Sequence, residues 1–292
     1  MLREHYRVDL VDRWEGRTAD AMVALHARRS AESIERWTQE QPRRPLAVVL
    51  TGTDLYRDIR SDASAQRSLA LADRLVVLHE RAVDDLPAQY RHKALACFQS
   101  TSTRMPQRKT QRHLRAVMVG HLRAEKAPRT YFAAARSLAG RPDILLDHIG
   151  AALDPALGAE ALAVQQGCPR YHWLGPLPHP SARRHIQAAH VLVHTSLIEG
   201  GAHVVMEAVR SGTPVLASRI AGNVGLLGPD YQGYFEPDDA GGLAGLIERC
   251  RDDPAILGRL GAQCALRAPL FEPARERATL LALLAEMLET CP

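Results

Sequence analysis

The stretch TSLIEGGAHVVMEAVRSGTPVLAS, residues 195–218, decides how the rest of the chain is read. It follows HVLVH at 190–194, a continuous apolar run of the kind that forms a buried parallel strand. Glu199-Gly200-Gly201 interrupts the run, and a helical segment is expected over 203–211. Gly212 stands where a helix C′ residue would, and Pro214 opens a further strand to Ala217. Strand, glycine turn and helix start is where an open α/β sheet binds phosphate, because unpaired N–H groups and the helix dipole face the anion. Gly200 and Gly201 have no Cβ to hold a ligand off the backbone, and Ala202 and His203 complete the turn.

Two carboxylates frame this turn, Glu199 and Glu207, with seven residues between them. Glu207 lies among Val204, Val205, Met206, Ala208 and Val209, and a carboxylate buried in such company is costly unless hydrogen-bonded. It either turns outward as an ordinary surface residue or holds a polar ligand. In the second case Glu199 suits sugar hydroxyls and Glu207, one turn beyond His203, suits a ribose diol. The phosphates would then lie between them.

The stretch resembles the donor-site motif of family 4 glycosyltransferases, in which two glutamates with seven residues between them precede a GTPV-containing strand. Glu207-Ala208, Gly212-Thr213-Pro214-Val215 and Ala217-Ser218 carry the match; His203 stands where many relatives have Asn. The resemblance implies an α/β chain with the GT-B fold, two Rossmann-like domains facing a cleft. Residues 1–105 would form the acceptor-side domain and 114–268 the UDP-sugar domain. A final helix over 269–292, with leucines at 280, 281, 284 and 288, would brace the first domain.

Composition sets the outer bounds. The 292 residues suit two moderate domains, and 46% hydrophobic with 24% charged residues is ordinary for a globular chain. A net charge of +4 gives mild attraction for anions without calling for nucleic acid. The five cysteines are scattered with no C-x-x-C pair, and the N-terminus has no signal-peptide core. A cytoplasmic enzyme without a membrane segment is the expectation.

Along the chain, strands are expected at 7–11, 21–25, 46–50 and 75–78, with helices at 30–40 and 64–72. The basic segment 100–114, STSTRMPQRKTQRHL, has no periodicity or interleaved aromatics and reads as a solvated linker rather than an RNA-binding patch. Strands at 116–119, 144–149 and 171–174 alternate with helices at 128–138, 156–166 and 181–189. Residues 221–228, AGNVGLLG, read as a glycine-rich turn, and helices are expected at 241–251, 255–264 and 272–289. Alternating β and α segments of this size argue for parallel sheets covered by helices.

Gly120, Arg123 and Lys126 follow the first strand of the second domain. In the family such a pair of cations grips the donor diphosphate. Fixed positive charge there stabilises the departing UDP more than the ground state, which makes Arg123 and Lys126, with Glu199, the expected catalytic set. No G-x-G-x-x-G, P-loop, H-E-x-x-H or Asp-x-Asp pattern occurs, so neither a dinucleotide nor a metal is signalled, and no cofactor is expected.

A narrower resemblance runs through DLVDRW at 9–14, ALHARRSA at 24–31, the segment 51–75, GHLRAEKAP at 120–128 and ASRIAGNVGLLG at 217–228. Together these are similar to the selenosugar synthases of selenoneine biosynthesis, a branch of family 4. That implies transfer of N-acetylglucosamine or glucose from its UDP donor to selenophosphate. The selenium is already an anionic nucleophile, so an anion pocket matters more than a strong base. His26, Arg28 and Arg29 after one strand, and Thr51, Gly52 and Asp54 after another, are the acceptor-side candidates. The alternatives are a family 4 transferase with a sugar or lipid acceptor, or a non-catalytic UDP-sugar-binding protein. Against the GT-B pattern, the first domain lacks its opening strand, glycine loop and helix, and about one βα unit is expected to precede Met1.

Overall fold

LAVV at Leu46–Val49 is apolar without alternation, and its first three residues are fully buried, as a strand covered on both faces must be. It is β2 of a four-stranded parallel sheet ordered β1-β2-β3-β4, with β1 at Met22–Leu25, β3 at Arg74–Val77 and β4 at Ala94–Ala96. Register is fixed by pairs such as Ala24↔Val48 and Val48↔Leu75. Helix α1, Ala31–Glu40, buries Ile34 and Trp37 against this sheet. After β2 a π-turn at Asp54–Asp58 runs into the short α2, Ile59–Ser61, and then α3, Ala63–Leu71. Asp62 caps α3 by accepting from the Ser64 and Ala65 N–H groups.

The structure, a computed structural model, describes residues 1–289. The chain forms two compact units: Met1–Ser100 with Glu199–Gly201 and the chain from Leu270 on, and Thr101–Ile198 with Ala202–Pro269. Residues 7–11, expected as a strand, are irregular, and Leu10 and Val11 are exposed. The segment is anchored by Trp14 instead. Its ring meets Trp37 edge-on at 5.2 Å, and its N–H groups bond Ser33 Oγ and the Arg17 carbonyl.

The second unit holds a six-stranded parallel sheet ordered β10-β9-β8-β5-β6-β7. Its elements in chain order are β5 Leu114–Val119, α4 Pro128–Ser137, β6 Ile144–Ile149, α5 Pro155–Gly167, β7 Tyr171–Gly175 and α6 His179–Ala188. Next come β8 Val191–His194, α7 His203–Val209, β9 Val215–Ser218, α8 Ala221–Leu227, β10 Tyr234–Phe235, α9 Ala240–Asp252 and α10 Pro254–Arg267. The chain builds outward from β5 to β7 on one side, then returns through α6 to build β8, β9 and β10 on the other. The order therefore reverses between β5 and β8, and in such sheets the crevice for ligands opens at the strand C-termini beside that reversal.

One further expectation is corrected. Residues 221–227 are helical, not a turn, because Arg267 donates from Nε and Nη2 to the Leu226 and Gly225 carbonyls and caps the helix from α10. The basic segment after residue 100 is largely exposed, as a solvated segment is expected to be, and it is also tethered at several points. Arg183 bonds Ser102, Gln187 bonds the Met105 carbonyl, Lys109 bonds the Gln187 carbonyl, and His190 bonds the Thr110 carbonyl.

The last helix, α11 at Pro273–Glu289, buries Leu283 and Met287 against Ala47 and Val76 of the first sheet. Among the described residues no helix is long and apolar enough to cross a membrane.

Candidate functional site

Both loops that the strand reversal brings together carry expected site residues. After β5, Gly120 leads to Arg123, whose backbone is extended, and a single turn at Ala124–Lys126. The Lys126 stem lies over Gly120, with Cγ, Cδ and Cε within 3.6–4.0 Å of where a Cβ would stand. After β8, Thr195 Oγ1 donates to the Lys126 carbonyl at 2.6 Å, and the Leu197 N–H donates to the Glu125 carbonyl at 2.9 Å. These two bonds tie the cation-bearing loop to the start of the loop after β8, both within the second unit. Arg123 itself is exposed.

Glu207 is 2% exposed. The α7 helix turns it inward with Val205, Met206 and Val209, so the surface-residue reading does not hold. Its Oε1 accepts from His179 Nε2 at 2.5 Å and faces His203 Nδ1 at 3.3 Å. Arg183 Nε lies 3.6 Å from the same oxygen, while the rest of its guanidinium is held by Ser102 Oγ and O, each at 2.8 Å. Burial pushes the Glu207 carboxyl up, but the hydrogen bonds and charges of His203 and His179 more than reverse this and leave it below the ordinary glutamate value. Glu207 is thus an ionised, buried acceptor whose polar surroundings include two exposed imidazoles.

His179 and Arg183 were not among the expected residues. They stand one turn apart on α6, which crosses the sheet between β7 and β8. No local pattern marks them, since their partner lies 28 and 24 residues further on, at Glu207. Glu199, Gly200 and Gly201 fall in the first unit, while Ala202, His203 and Glu207 fall in the second. Within the first unit the Gly200 and Gly52 backbones touch, and a Cβ on Gly52 would stand 2.4 Å from Gly200 N. Only glycine fits at either position.

The acceptor-side candidates gather at the C-terminal ends of β1 and β2. His26 is buried in a left-handed conformation (φ 77°), a strained state for a non-glycine residue. Its Nδ1 lies 2.5 Å from Asp54 Oδ1 and its Nε2 lies 3.1 Å from Thr53 Oγ1. Asp54 also accepts from the Thr51 N–H at 3.2 Å and the Arg28 N–H at 3.4 Å. Burial pushes the His26 imidazole below its usual range and the Asp54 carboxyl above its own. Arg28 does not present a free cation, because its Nε pairs with the buried Asp58 at 3.1 Å. Arg29 is exposed. Thr53 and Asp58 are additions that the π-turn makes, by bringing residues 53, 54 and 58 around one imidazole.

Among the described residues two trios could take a cation, His179-His203-Glu207 and His26-Asp54-Asp58, each with ligand atoms within 4.8 Å of one another.

A family model described as glycosyl transferases group 1 matches residues 99–264, more than half of the chain. No curated protein sequence matches. Among solved structures, TarM of S. aureus, in a complex with UDP, is similar with a TM-score of 0.74 at 13% identity. That match covers 92% of this chain and 55% of TarM, so the chain spans about half of TarM's length. Sucrose-phosphate synthase of Thermosynechococcus elongatus gives 0.77 at 20% identity over 92% of this chain and 74% of that one. Anabaena HepE, solved with UDP and glucose, gives 0.74 at 16% identity over 91% and 78%. At these identities the shared property is the fold, two α/β units of the GT-B kind.

Proposed function

The chain belongs to the glycosyl transferases group 1, and from that premise we propose that it moves a hexose or N-acetylhexosamine from a UDP donor bound in the second unit. The observation that carries this is Glu207, a buried carboxylate kept ionised beside the strand reversal, whose polar neighbours can yield to a ribose diol. Such an acceptor has little structural use inside an apolar helix face. Support for uridine diphosphate comes from similar folds solved with it: HepE with UDP-glucose and pneumococcal GtfA with UDP and GlcNAc.

In this reading Glu207 accepts from the ribose hydroxyls, and Arg123 and Lys126 reach the diphosphate from the β5 loop. As the bond from the sugar C1 to the phosphate oxygen breaks, charge builds on UDP, and these cations favour the transition state over the ground state. Glu199 is assigned to the sugar hydroxyls.

For the acceptor, the resemblance at 9–14, 24–31 and 51–75 supports selenophosphate, with a C1–Se bond forming as UDP leaves. The buried His26–Asp54 pair supports a second reading, a sugar or lipid hydroxyl, because a neutral imidazole oriented by a carboxylate suits removal of an O–H proton. The deciding assay is UDP release from UDP-N-acetylglucosamine and UDP-glucose, with selenophosphate, with selenophosphate plus thiophosphate, and with simple sugar and lipid hydroxyl acceptors. Release driven by selenophosphate and slowed by thiophosphate selects the first reading, and release with hydroxyl acceptors alone selects the second. Tight UDP binding with no turnover of any acceptor makes the chain a binding protein and overturns the proposal.

A further inference from the structure

We propose that His179, His203 and Glu207 form a divalent transition-metal site that overlaps the nucleotide pocket, so that a zinc-class ion and UDP exclude one another. The metal part rests on geometry alone. The exclusion part rests on the assignment of Glu207 to the donor ribose.

His203 and Glu207 are four residues apart on α7 and so share one face of the helix, a spacing that lets an imidazole and a carboxylate converge on one ion. The third group, His179 Nε2, arrives from α6 at 2.5 Å from the carboxylate oxygen that His203 Nδ1 approaches to 3.3 Å. Two imidazoles and one glutamate are the donor set of open zinc sites, which leave a fourth position to water. Imidazole nitrogen favours zinc, copper, nickel and cobalt over magnesium or calcium, so the class of ion follows from the ligands.

The parts are unequally mobile in a way that suits capture. Glu207 is buried and fixed, whereas the His179 and His203 side chains are 67% and 47% exposed. The imidazoles can rotate by the small distance that replaces an N–H···O contact with an N–metal–O bridge of roughly 2.0–2.2 Å per bond. Water reaches them directly, so the ion needs no entry channel.

Arg183 opposes the ion. Its guanidinium is buried and its Nε lies 3.6 Å from the carboxylate oxygen, anchored by two bonds to Ser102. Its charge lowers the affinity of the site without blocking it, since Nη1 and Nη2 are held by Ser102 and only Nε approaches the carboxylate, at 3.6 Å. With the ion on Oε1 the lone pairs of that oxygen are committed, and the ion with its two imidazoles occupies the space from which a diol would approach.

The test titrates Co²⁺ into the full chain and follows visible d–d absorption, with Zn²⁺ used to displace it, and measures UDP affinity by calorimetry with and without Zn²⁺. The expected result is a tetrahedral-type Co²⁺ spectrum removed by Zn²⁺, and a Zn²⁺ affinity weakened more than about 10-fold in each of His179→Gln and His203→Asn. Both changes are at exposed positions, and far-UV circular dichroism checks that the variants are folded. At Zn²⁺ ten times above its dissociation constant, the apparent Kd for UDP in the unmodified chain rises about 11-fold. No Co²⁺ spectrum, or one that both variants retain, overturns the metal site. In that case loss of UDP affinity in Glu207→Gln still leaves the proposed function standing. Metal binding that depends on both histidines but leaves UDP affinity unchanged overturns the exclusion, and with it the placement of the ribose at Glu207.

Discussion

Replacing Glu207 by Gln removes one negative charge and almost no volume, which makes it the sharpest probe of the donor pocket. A hydrogen bond to a charged acceptor contributes about 1.5–3 kcal/mol and one between neutral groups about 0.5–1.5 kcal/mol, so each ribose hydroxyl loses roughly 1–1.5 kcal/mol. Two hydroxyls give about 2–3 kcal/mol. Part of that is offset, because the diol must displace His179 and His203, which hold Oε1 in the unliganded chain. The lower end, about 2 kcal/mol, is a rise of roughly 30-fold in the Kd for UDP. Calorimetric titration of UDP into the folded variant measures it, with a urea unfolding curve as control. The control matters because Arg183 is buried beside this carboxylate and loses its counter-charge. A folded Glu207→Gln protein with unchanged UDP affinity would refute the reasoning and leave Glu207 as a structural anchor for α6 and α7.

Other outcomes are expected in parallel. Arg123→Ala and Lys126→Ala each lower kcat more than they raise the donor KM, by about 2.7–4 kcal/mol in transition-state stabilisation; full kcat in both variants would place the diphosphate clamp elsewhere. His148 is fully buried, and burial pushes its pKa down to about 4 from an ordinary 6.5. The unfolded chain therefore takes up a proton below pH 6.5 that the folded chain refuses until about pH 4, and stability falls across that window. At pH 4.5 the loss from this one group is about 2–3 kcal/mol, read from urea midpoints at pH 7 and 4.5 and reduced in His148→Gln. Gly212 has φ 68° and would place a Cβ 2.7 Å from Pro106 Cγ. Gly212→Ala should lower stability by at least about 1–2 kcal/mol, and an unchanged unfolding curve would show that the chain relaxes there.

Much of the second unit was legible because its signals are local. Apolar runs such as 144–149 and 190–194, glycine at 212 and proline at 128 state strands, stops and starts within a few residues of where the structure has them. Local signals also explain the misreadings. The glycines of 221–228 argue for a turn by propensity, yet Gly222 and Gly225 are buried in a helix capped by Arg267, some forty residues away. The pattern at 7–11 reads as a strand, but among the described residues no strand pairs with it and Trp14 takes the anchoring role. The short β4 carries no sequence signal, because ALA at Ala94–Ala96 has too little side chain to declare a strand; it exists through its pairing with β3. The sequence by itself determined that residues 195–218 form a strand, a glycine turn and a helix carrying an internal glutamate, because those features depend on neighbours in the chain. Only the tertiary structure decided that Glu207 is buried and ionised. His203, its neighbour on α7, is one group that keeps it ionised; the other, His179, and the buried Arg183 beside it reach Glu207 through the return of α6 to the far side of β5, and the seating of β8 beside β5 is a choice of sheet order that no local residue pattern encodes.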